Sequence, residues 1–469
     1  MDMKLDCNTV EQSSGSGPSH RGQRLSSEIF AIPLQADKYI VYAPLRKCAF
    51  IGNSAVVNFL ADLQARPEIL NLQPDSSLLD FLRSIEIISD EPEKKPITTF
   101  SGIPQPLTAT FFLTNACNLR CSYCYASAGE APTQHMNFNV ARLGIDFIVS
   151  NAVKRDAPYI RIAYHGGGEP TVNWKVMTES LAYAKTQAAQ HELKVHSSTA
   201  TNGMLNEKQI EWIVAQMDGA SISFDGLPSV HDKFRVTASG HGSSQHIENT
   251  MRQFDKAGFI YGLRMTVTAE QIAALPDSVK YICSRFKPAR IQVEPAYQMG
   301  KWENAHSSET EEFIQAYREA QGRARKYAKE ISFSAARVGV LTNHFCSVSQ
   351  DNFALSADGN VSACYEVFSE SDAYSKHFFY AKPNYDEGGY TFDMDALNRL
   401  RNQAVQNRKY CEGCFAKWNC AGDCYNKLLH SNADGEIKGS DRCHIIQEFS
   451  KDQILQKIND SGGLFWHER

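Results

Sequence analysis

From about residue 105 to residue 300, short apolar runs alternate with amphipathic segments, which predicts strands alternating with helices. The predicted strands are 107–113, 159–165, 194–201, 219–225, 260–268 and 290–296, with helices near 137–153, 173–190, 206–216, 246–258 and 276–286. This alternation favours parallel pairing with right-handed crossovers. Six units are too few to close an eight-stranded barrel, so we predict an α/β fold with an open partial barrel over residues 105–300.

The pattern differs on either side of this region. Residues 1–26 are rich in Ser, Gly and Gln, which predicts a flexible tail. Residues 27–104 contain short apolar runs split by turn residues, followed by two helical segments, and should fold as a small domain. Within 301–335, residues 307–330 predict a bridging helix that opens with a capping box from Ser308 to Glu311. Residues 336–469 complete the chain as a cysteine-rich domain.

Length and charge narrow the class of protein. At 469 residues the chain is long enough for roughly three domains. The 48 basic and 53 acidic side chains give a net charge of -5, which offers no electrostatic reason to expect a nucleic acid partner. No apolar run approaches the roughly 18 residues of a membrane span, and the polar opening MDMKLDCNTVEQ does not resemble a signal peptide. We therefore expect a soluble, cytoplasmic protein without a membrane partner.

Ten of the thirteen cysteines fall in closely spaced groups, which suits metal ligation in a reducing compartment. The other three, Cys7, Cys48 and Cys283, are interpreted as a tail residue and two ordinary small apolar side chains. Cys117, Cys121 and Cys124 form C-x3-C-x2-C directly after the first predicted strand. Three thiolates on one loop can hold three corners of a 4Fe-4S cluster and leave the fourth iron for a small molecule. The alternative is a zinc site, but zinc prefers four ligands in paired spacings.

The triplet, with Tyr123 just before its last cysteine, resembles the signature of the radical S-adenosylmethionine (SAM) enzymes. That resemblance implies a partial (β/α)6 barrel, a 4Fe-4S cluster and SAM as cofactors. After the second strand, Gly167, Gly168 and Glu169 precede a proline, which resembles the family's G-G-E-P motif at the SAM amino group. Glycines at such a turn let backbone approach a ligand closely, although GGEP alone could be any tight turn.

Polar residues also follow the later strands, at the sheet edge where chemistry is expected. Their positions resemble those near the SAM ribose and carboxylate in the family. They are Thr201, Asn202, Ser223, Asp225, Arg235 and Arg264. Turn and helix-cap chemistry is the alternative interpretation, because Thr, Ser, Asn and Asp are common in both.

Seven further cysteines follow residue 340. Their spacing is Cys346-x12-Gly359-x4-Cys364, then Cys411-x2-Cys414-x5-Cys420-x3-Cys424, then Cys443. It resembles the SPASM domain, the auxiliary-cluster module of radical SAM peptide maturases. That resemblance implies one cluster on Cys346, Cys364 and Cys424, a second on Cys411, Cys414, Cys420 and Cys443, and so three 4Fe-4S clusters in all. A zinc ribbon would leave three of the seven without partners.

The first auxiliary set lacks a fourth cysteine. His344 is a candidate ligand, because imidazole can replace thiolate on iron-sulfur clusters. The alternatives are an ordinary, partly exposed loop histidine and an iron left open to a substrate atom or water.

The small N-terminal domain resembles, in pattern and position only, the winged-helix-like element that recognises peptides in such maturases. An exposed strand edge there could bind a peptide by strand addition. A purely structural cap on the barrel is the alternative.

The resemblance implies a radical SAM/SPASM oxidoreductase that crosslinks a ribosomally made precursor peptide, with an electron donor such as flavodoxin or ferredoxin. Tyr365 and Glu366 are the candidate catalytic residues, as a proton-accepting pair beside the first auxiliary set. Sulfatase-maturing enzymes, which make formylglycine, are the nearest alternative, although they carry an aspartate after the cysteine that matches Cys364. A sensor that only holds clusters would not need the GGEP motif.

Overall fold

The computed structural model describes residues 3–4, 22–68, 70, 77–297, 301, 309–432 and 437–466. The strands are β1 Met3–Lys4, β2 Arg24–Leu25, β3 Phe30–Pro33, β4 Tyr39–Ala43, β5 Cys48–Gly52, β6 Ile88–Ser89, β7 Thr108–Phe112, β8 Leu119–Cys121, β9 Tyr159–His165, β10 Lys194–Thr201, β11 Gly219–Ser223, β12 Arg235–Thr237, β13 Tyr261–Val267, β14 Arg290–Pro295, β15 Ile331–Ser332, β16 Ala354–Leu355, β17 Val361–Ser362, β18 Phe379–Asn384, β19 Gly389–Phe392 and β20 Leu464–Trp466.

The helices alternate with the central strands and then dominate the end of the chain. They are α1 Ser54–Ala65, α2 Ser77–Ser84, α3 Phe138–Lys154, α4 Trp174–Ala189, α5 Glu207–Gln216, α6 Pro228–Phe234, α7 Ser244–Ala257, α8 Leu275–Arg285, α9 Thr310–Arg325, α10 Met394–Arg401, α11 Lys417–Cys420, α12 Tyr425–Ser431 and α13 Arg442–Asp460.

All six predicted strands of the barrel region are present, and they pair in parallel in the order β7-β9-β10-β11-β13-β14. Side chains alternate along β13, where Leu263 and Met265 are buried and Arg264 between them is exposed on the opposite face. That opposite face of β10 and β11 carries small residues such as Ala200, Ser221 and Ser223, which leave space inside the curved sheet.

The sheet extends beyond the six predicted strands, to eleven among the described residues. On one edge β15 pairs in parallel with β14. On the other edge β16 pairs in parallel with β7, and β17, β18 and β19 follow in antiparallel order. The cysteine-rich domain is therefore continuous with the barrel sheet. The strands β15, β16 and β17 were not predicted, because two-residue strands are too short to show a periodicity.

The predicted bridging helix is α9, and it begins at Thr310. Ser308, the predicted cap, lies outside the described residues, and Glu309 at the N-cap makes no side-chain cap hydrogen bond. The helix does join two parts of the chain, because Tyr317 stacks on Phe449 of α13 with ring centroids 4.1 Å apart. Arg323 also forms an ion pair with Asp277 of α8.

The N-terminal region forms a second, antiparallel sheet in the order β1-β3-β4-β5-β20. Its last strand comes from the carboxyl end of the chain and pairs with β5, although the prediction assigned those residues to the domain 336–469. One face of the sheet packs on α1 and α2 through residues such as Val41 and Phe50, and the other face, with Ile40 and Tyr42, joins the main core. Both faces are buried, which explains the continuous apolar run in β4.

Parts of the predicted tail 1–26 also lie in strands. β1 pairs with Phe30 and Ala31 of β3, and β2 pairs with β6, while residues 5–21 lie outside the described residues. The structure therefore gives the inner strands β3 and β5 partners on both sides. The winged-helix-like character of residues 27–104 stays a prediction.

Buried polar contacts join the N-terminal sheet region to the cysteine-rich domain. The Glu28 carboxylate accepts a hydrogen bond from Lys417 Nζ at 2.9 Å and another from the indole N–H of Trp418. Tyr42 donates to Asn419 Oδ1 at 3.0 Å.

No helix among the described residues has the length and apolar content needed to cross a bilayer.

We predict that Glu28→Ala destabilises the protein by about 3 kcal/mol, because it leaves a buried lysine and a buried indole without their acceptor. Urea unfolding followed by tryptophan fluorescence measures the change. Glu68→Ala is the matched control, since Glu68 is exposed and its loss should cost less than about 0.5 kcal/mol. Equal losses in the two variants would contradict the prediction.

Candidate functional site

The predicted cysteine triplet lies on the loop after β7, and a short ribbon fixes its middle. In this ribbon β8 pairs antiparallel with β12, so that Cys121 lies opposite Arg235. Polar groups point at the sulfur atoms: Asn202 Nδ2 lies 3.6 Å from Cys117 Sγ, and an Arg235 NH group lies 3.9 Å from Cys121 Sγ. Donors of this kind tune thiolate ligands.

The three thiols also lie close enough to influence each other's ionisation. Burial, together with the nearby charges of Glu169, Cys121 and Cys124, raises the pKa of Cys117 to about 12. Burial raises the pKa of Cys121 as well, although Arg235 opposes it. A metal would have to displace these protons, so ligation and deprotonation are coupled here.

The glycine-rich turn after β9 is in direct backbone contact with the cysteine loop. Gly168 N donates to Thr114 O at 2.9 Å, and Glu169 N donates to Ala116 O at 2.9 Å. A Cβ atom on Gly168 would lie 2.0 Å from the carbonyl oxygen of Ala116. Only glycine therefore fits this position without moving the loop.

The Glu169 carboxylate is buried and fully hydrogen-bonded. Its Oε1 accepts from Thr171 N at 3.2 Å, from Thr171 Oγ1 at 2.8 Å and from Thr201 Oγ1 at 2.9 Å. Its Oε2 accepts from Asn202 N at 2.7 Å. Burial raises the pKa of Glu169, and these donors oppose the rise. The side chain therefore ties the turn to the end of β10.

Asp225 forms a second buried centre with Arg235 and Tyr123. Arg235 donates to Asp225 through Nε at 2.9 Å and through a second nitrogen at 3.3 Å, and Tyr123 donates its hydroxyl to the same carboxylate. Burial raises the pKa of Asp225, but Arg235, His231 and the hydrogen bond from Tyr123 together outweigh it and hold the pKa below its usual range. Asp225 thus positions Arg235 and Tyr123.

A cavity of about 420 Å³ opens beside the triplet, and most of the predicted residues line it. The predicted residues in its wall are Cys117, Cys121, Tyr123, Cys124, Gly167, Gly168, Glu169, Thr201, Asn202, Ser223, Arg235, Arg264 and Glu366. Asp225 and Tyr365 are not in the wall. Tyr365 instead donates its hydroxyl to Asn352 Oδ1 at 2.8 Å.

The sequence reasoning missed several residues of the wall. These are Tyr125, His165, Ser221, Thr266, Glu294 and Tyr297. His165 ends β9, directly before the glycine-rich turn, so the rule that places chemistry at strand ends could have found it. Its ring stacks on Tyr365 with centroids 5.6 Å apart, and burial lowers the pKa of His165 to about 4. The imidazole is therefore neutral near pH 7.

The cysteines of the predicted first auxiliary set are neighbours, and their role as cluster ligands stays a prediction. Burial, and then the charges of nearby groups that include Cys424 and Cys346, raise the pKa of Cys364. The three thiols are therefore close enough to influence one another. Glu366 N donates to Cys364 Sγ at 3.4 Å.

The candidate ligand His344 is not available, because its Nδ1 is 2.8 Å from Ser349 Oγ and its Nε2 is 2.8 Å from Thr98 O. His344 is buried, which also contradicts the partly exposed loop alternative.

The second auxiliary set lies together near the start of α13. Burial and the charges of Cys414 and Cys443 raise the pKa of Cys411 to about 12, and all three thiols raise the pKa of Cys420. Gln447 Nε2 donates to Cys414 Sγ at 3.4 Å. In the described part of the chain, no group of three or more His, Cys, Asp or Glu residues has the geometry to hold a metal ion.

The remaining cysteines of the described chain are structural. Cys48 and Cys283 pack in apolar cores, as predicted, and Cys7 lies outside the described residues. None of the twelve cysteines in the described part of the chain forms a disulfide.

Buried ion pairs connect the cavity wall to the cysteine-rich domain. Arg442 lies 3.2 Å from Glu294 and 3.0 Å from Asp423, and Lys427 lies 3.2 Å from Glu366. Burial raises the pKa of Glu366, but Lys427 and Arg264 outweigh it and lower the pKa to about 2.

Residues 111–281 match the family model of the radical SAM superfamily. A SAM-dependent nucleotide dehydratase of Pseudoalteromonas ulvae is 30% identical over 26% of this chain and 41% of its own length. The sporulation killing factor maturation protein SkfB of Bacillus subtilis is 24% identical over 37% of this chain and 39% of its own length. The mycofactocin maturase MftC of Mycobacterium tuberculosis is 28% identical over 39% of this chain and 44% of its own length. The match thus spans less than half the length of each of these relatives.

Solved structures share the fold over more of the chain. The enzyme anSMEcpe with bound AdoMet superposes with a TM-score of 0.61 at 17% identity, over 76% of this chain and 96% of the other. Streptococcus suis SuiB bound to S-adenosylmethionine superposes with a TM-score of 0.52 at 12% identity, over 87% and 99%. The likeness therefore includes the cysteine-rich region as well as the barrel.

We predict that Gly168→Ala weakens SAM binding at least tenfold, because its Cβ would push the glycine-rich turn away from the cysteine loop. Isothermal titration with SAM measures the effect. Gly322→Ala in α9 is the control, since a Cβ atom there meets nothing within 4 Å and SAM affinity should not change. Unchanged affinity in Gly168→Ala would show that the turn can move without disturbing the site.

Proposed function

We propose that this protein is a radical SAM/SPASM enzyme that crosslinks a ribosomally made precursor peptide, because residues 111–281 match the radical SAM family model. One observation carries the proposal. A loop with three cysteines and a glycine-rich turn are joined by backbone hydrogen bonds at the carboxyl edge of a parallel sheet, beside a cavity of about 420 Å³.

The chemistry of the donor set suits a 4Fe-4S cluster and SAM, although the described side chains do not converge on a single metal ion. Cys117, Cys121 and Cys124 are neighbouring thiols with N–H donors aimed at two of them, and three protein ligands leave one iron for SAM. When bound, the reduced cluster and SAM supply a 5'-deoxyadenosyl radical that removes a hydrogen atom from an unactivated carbon. The chain itself binds, orients and keeps water from the reacting groups.

Residues of four strand ends would hold SAM. The backbone of Gly167 and Gly168 and the turn fixed by Glu169 would bind its amino group. Thr201, Asn202, Ser223 and Arg235 would bind its ribose and carboxylate through their polar groups. Tyr123 and Asp225 hold Arg235 in position through the ion pair and the hydroxyl contact.

The auxiliary sets would hold two further 4Fe-4S clusters, one on Cys346, Cys364 and Cys424 and one on Cys411, Cys414, Cys420 and Cys443. They would carry electrons between the substrate and a donor such as flavodoxin or ferredoxin. With His344 already hydrogen-bonded at both nitrogens, an iron open to a substrate atom or water is the favoured state of the first set.

Several observations support a peptide substrate. SkfB and MftC are named maturases, and solved structures of similar fold include SuiB bound to precursor peptide SuiA and anSMEcpe bound to the Cp18Cys peptide. Glu366 faces the cavity beside Cys364, but with a pKa of about 2 it is a weak base, so the predicted proton-accepting role does not suit it. Tyr365 would position His165 by stacking. The N-terminal domain would recognise the peptide by strand addition, which requires it to add outside β1 or β20 or to displace one of them.

Sulfatase maturation is the second candidate function, favoured by a cysteine-type anaerobic sulfatase-maturating enzyme of Clostridium perfringens that is 26% identical over 36% of this chain and 46% of its own length. The Tyr365-Glu366 pair stands where those enzymes carry an aspartate, which argues for a different substrate chemistry.

We predict that changing Cys117, Cys121 and Cys124 together to Ala abolishes the formation of 5'-deoxyadenosine, because it removes the three ligands of the SAM cluster. Iron content should fall by about four atoms per chain from about twelve. Product analysis by liquid chromatography of dithionite-reduced protein with SAM measures the activity.

Cys48→Ala is the control for loss of a cysteine outside the site and should cleave SAM normally. Deoxyadenosine formation by the triple variant would contradict the assignment of the SAM cluster.

A further inference from the structure

Arg264 differs from the other charged residues of the cavity wall. The Glu169 carboxylate accepts hydrogen bonds from threonine and backbone donors. Arg235 forms an ion pair with Asp225, and Glu366 forms one with Lys427. Within the described part of the chain, the Arg264 guanidinium makes neither a hydrogen bond nor a close ion pair, and its side chain is exposed to the cavity. Its five N–H donors are therefore available to a ligand.

The strand pattern explains why the side chain points inward. Along β13 the neighbours Leu263 and Met265 are buried against the core, so the intervening residue must face the concave side of the sheet. The exposed guanidinium faces the open cavity, so it can bind an anionic partner without first breaking a contact with the described part of the chain.

The surroundings of Arg264 distinguish two parts of the cavity. Arg264 shares the cavity wall with Glu366, two residues after Cys364 of the first auxiliary set, and with Glu294 of the neighbouring strand β14. On its other side Arg264 pairs with Ser223 of β11, one of the predicted SAM contacts. Arg264 therefore lies between the predicted SAM contacts and the first auxiliary set, where the proposed reaction would place the substrate.

The two nearby carboxylates do not neutralise it because each has its own cation. Glu366 is paired with Lys427 at 3.2 Å and Glu294 with Arg442 at 3.2 Å. The planar fork of a guanidinium matches a carboxylate with two parallel hydrogen bonds. We infer that Arg264 binds a carboxylate of the substrate, so that the enzyme acts on a peptide beside an acidic side chain or a free carboxyl terminus. This inference rests on the proposed function and reassigns a residue that the sequence placed among the SAM contacts.

The test uses the full-length protein with its clusters reconstituted and SAM present. Four random heptapeptide pools are offered, containing either Asp and Glu or Asn and Gln, each with a free or an amidated carboxyl terminus. Retained peptides are measured by mass spectrometry after ultrafiltration. The variants are Arg264→Gln, Arg264→Lys and the control Arg290→Gln, which removes an exposed arginine of β14 that bonds Ser332 outside the cavity.

We expect wild type and Arg290→Gln to retain carboxylate-bearing pools at least tenfold more than the amidated Asn and Gln pool. The pool that is enriched identifies the source, side chain or terminus. Arg264→Gln should lose the preference, and Arg264→Lys should keep only part of it, because an ammonium cannot make the paired contact. The affinity for SAM should change less than about twofold. The net charge of -5 would by itself disfavour acidic peptides, so such enrichment requires a specific cation.

A tenfold loss of SAM affinity in Arg264→Gln with unchanged peptide selection would overturn the inference and assign the guanidinium to the SAM carboxylate. Equal retention of all pools by wild type would also overturn it and leave the proposed function intact. Failure of reduced wild type to cleave SAM would contradict the proposed function instead, since that assay needs no peptide.

Discussion

The site depends on two backbone hydrogen bonds that join the cysteine loop to the glycine-rich turn. Thr114 O and Ala116 O accept from Gly168 N and Glu169 N, both at 2.9 Å. These segments follow β7 and β9, which are adjacent parallel strands, so the sheet brings them to the same edge. The contact leaves no space for a side chain at Gly168, and Glu169 then extends it to Thr201 and Asn202. One backbone contact thus fixes three strand ends around the cavity.

The same sheet determines where the cysteine-rich domain lies. β16 pairs in parallel with β7, so the chain that carries Cys346 and Cys364 is attached by main-chain hydrogen bonds to the strand that precedes the triplet. Main-chain pairing is specific in register because a slip by one residue would turn every side chain to the other face. The separation between the triplet and the first auxiliary set is therefore set by backbone geometry.

The sequence was informative where a local pattern carries the structure. The strands β9 and β10 match their predicted bounds because both are long enough to show periodicity, while the ligand sets assigned to the cysteines stay predictions. It was not informative about pairing between distant segments. The β8–β12 ribbon and the addition of β20 to the N-terminal sheet bring together residues far apart in sequence. Spacing likewise could not show that Tyr365 turns to Asn352.

The cavity wall is shared between two domains, and its charges are paired across them. Glu294 at the end of β14 is paired with Arg442 of α13. Removing one partner of a buried ion pair leaves an uncompensated charge, at a cost of about 3–5 kcal/mol. A barrel without the cysteine-rich domain would expose Glu294 to water in the wall of the cavity where we propose that the reaction takes place. The electrostatics of the wall therefore require the docked C-terminal domain, so this domain has a structural role at the cavity that is independent of any electrons its cysteines would carry.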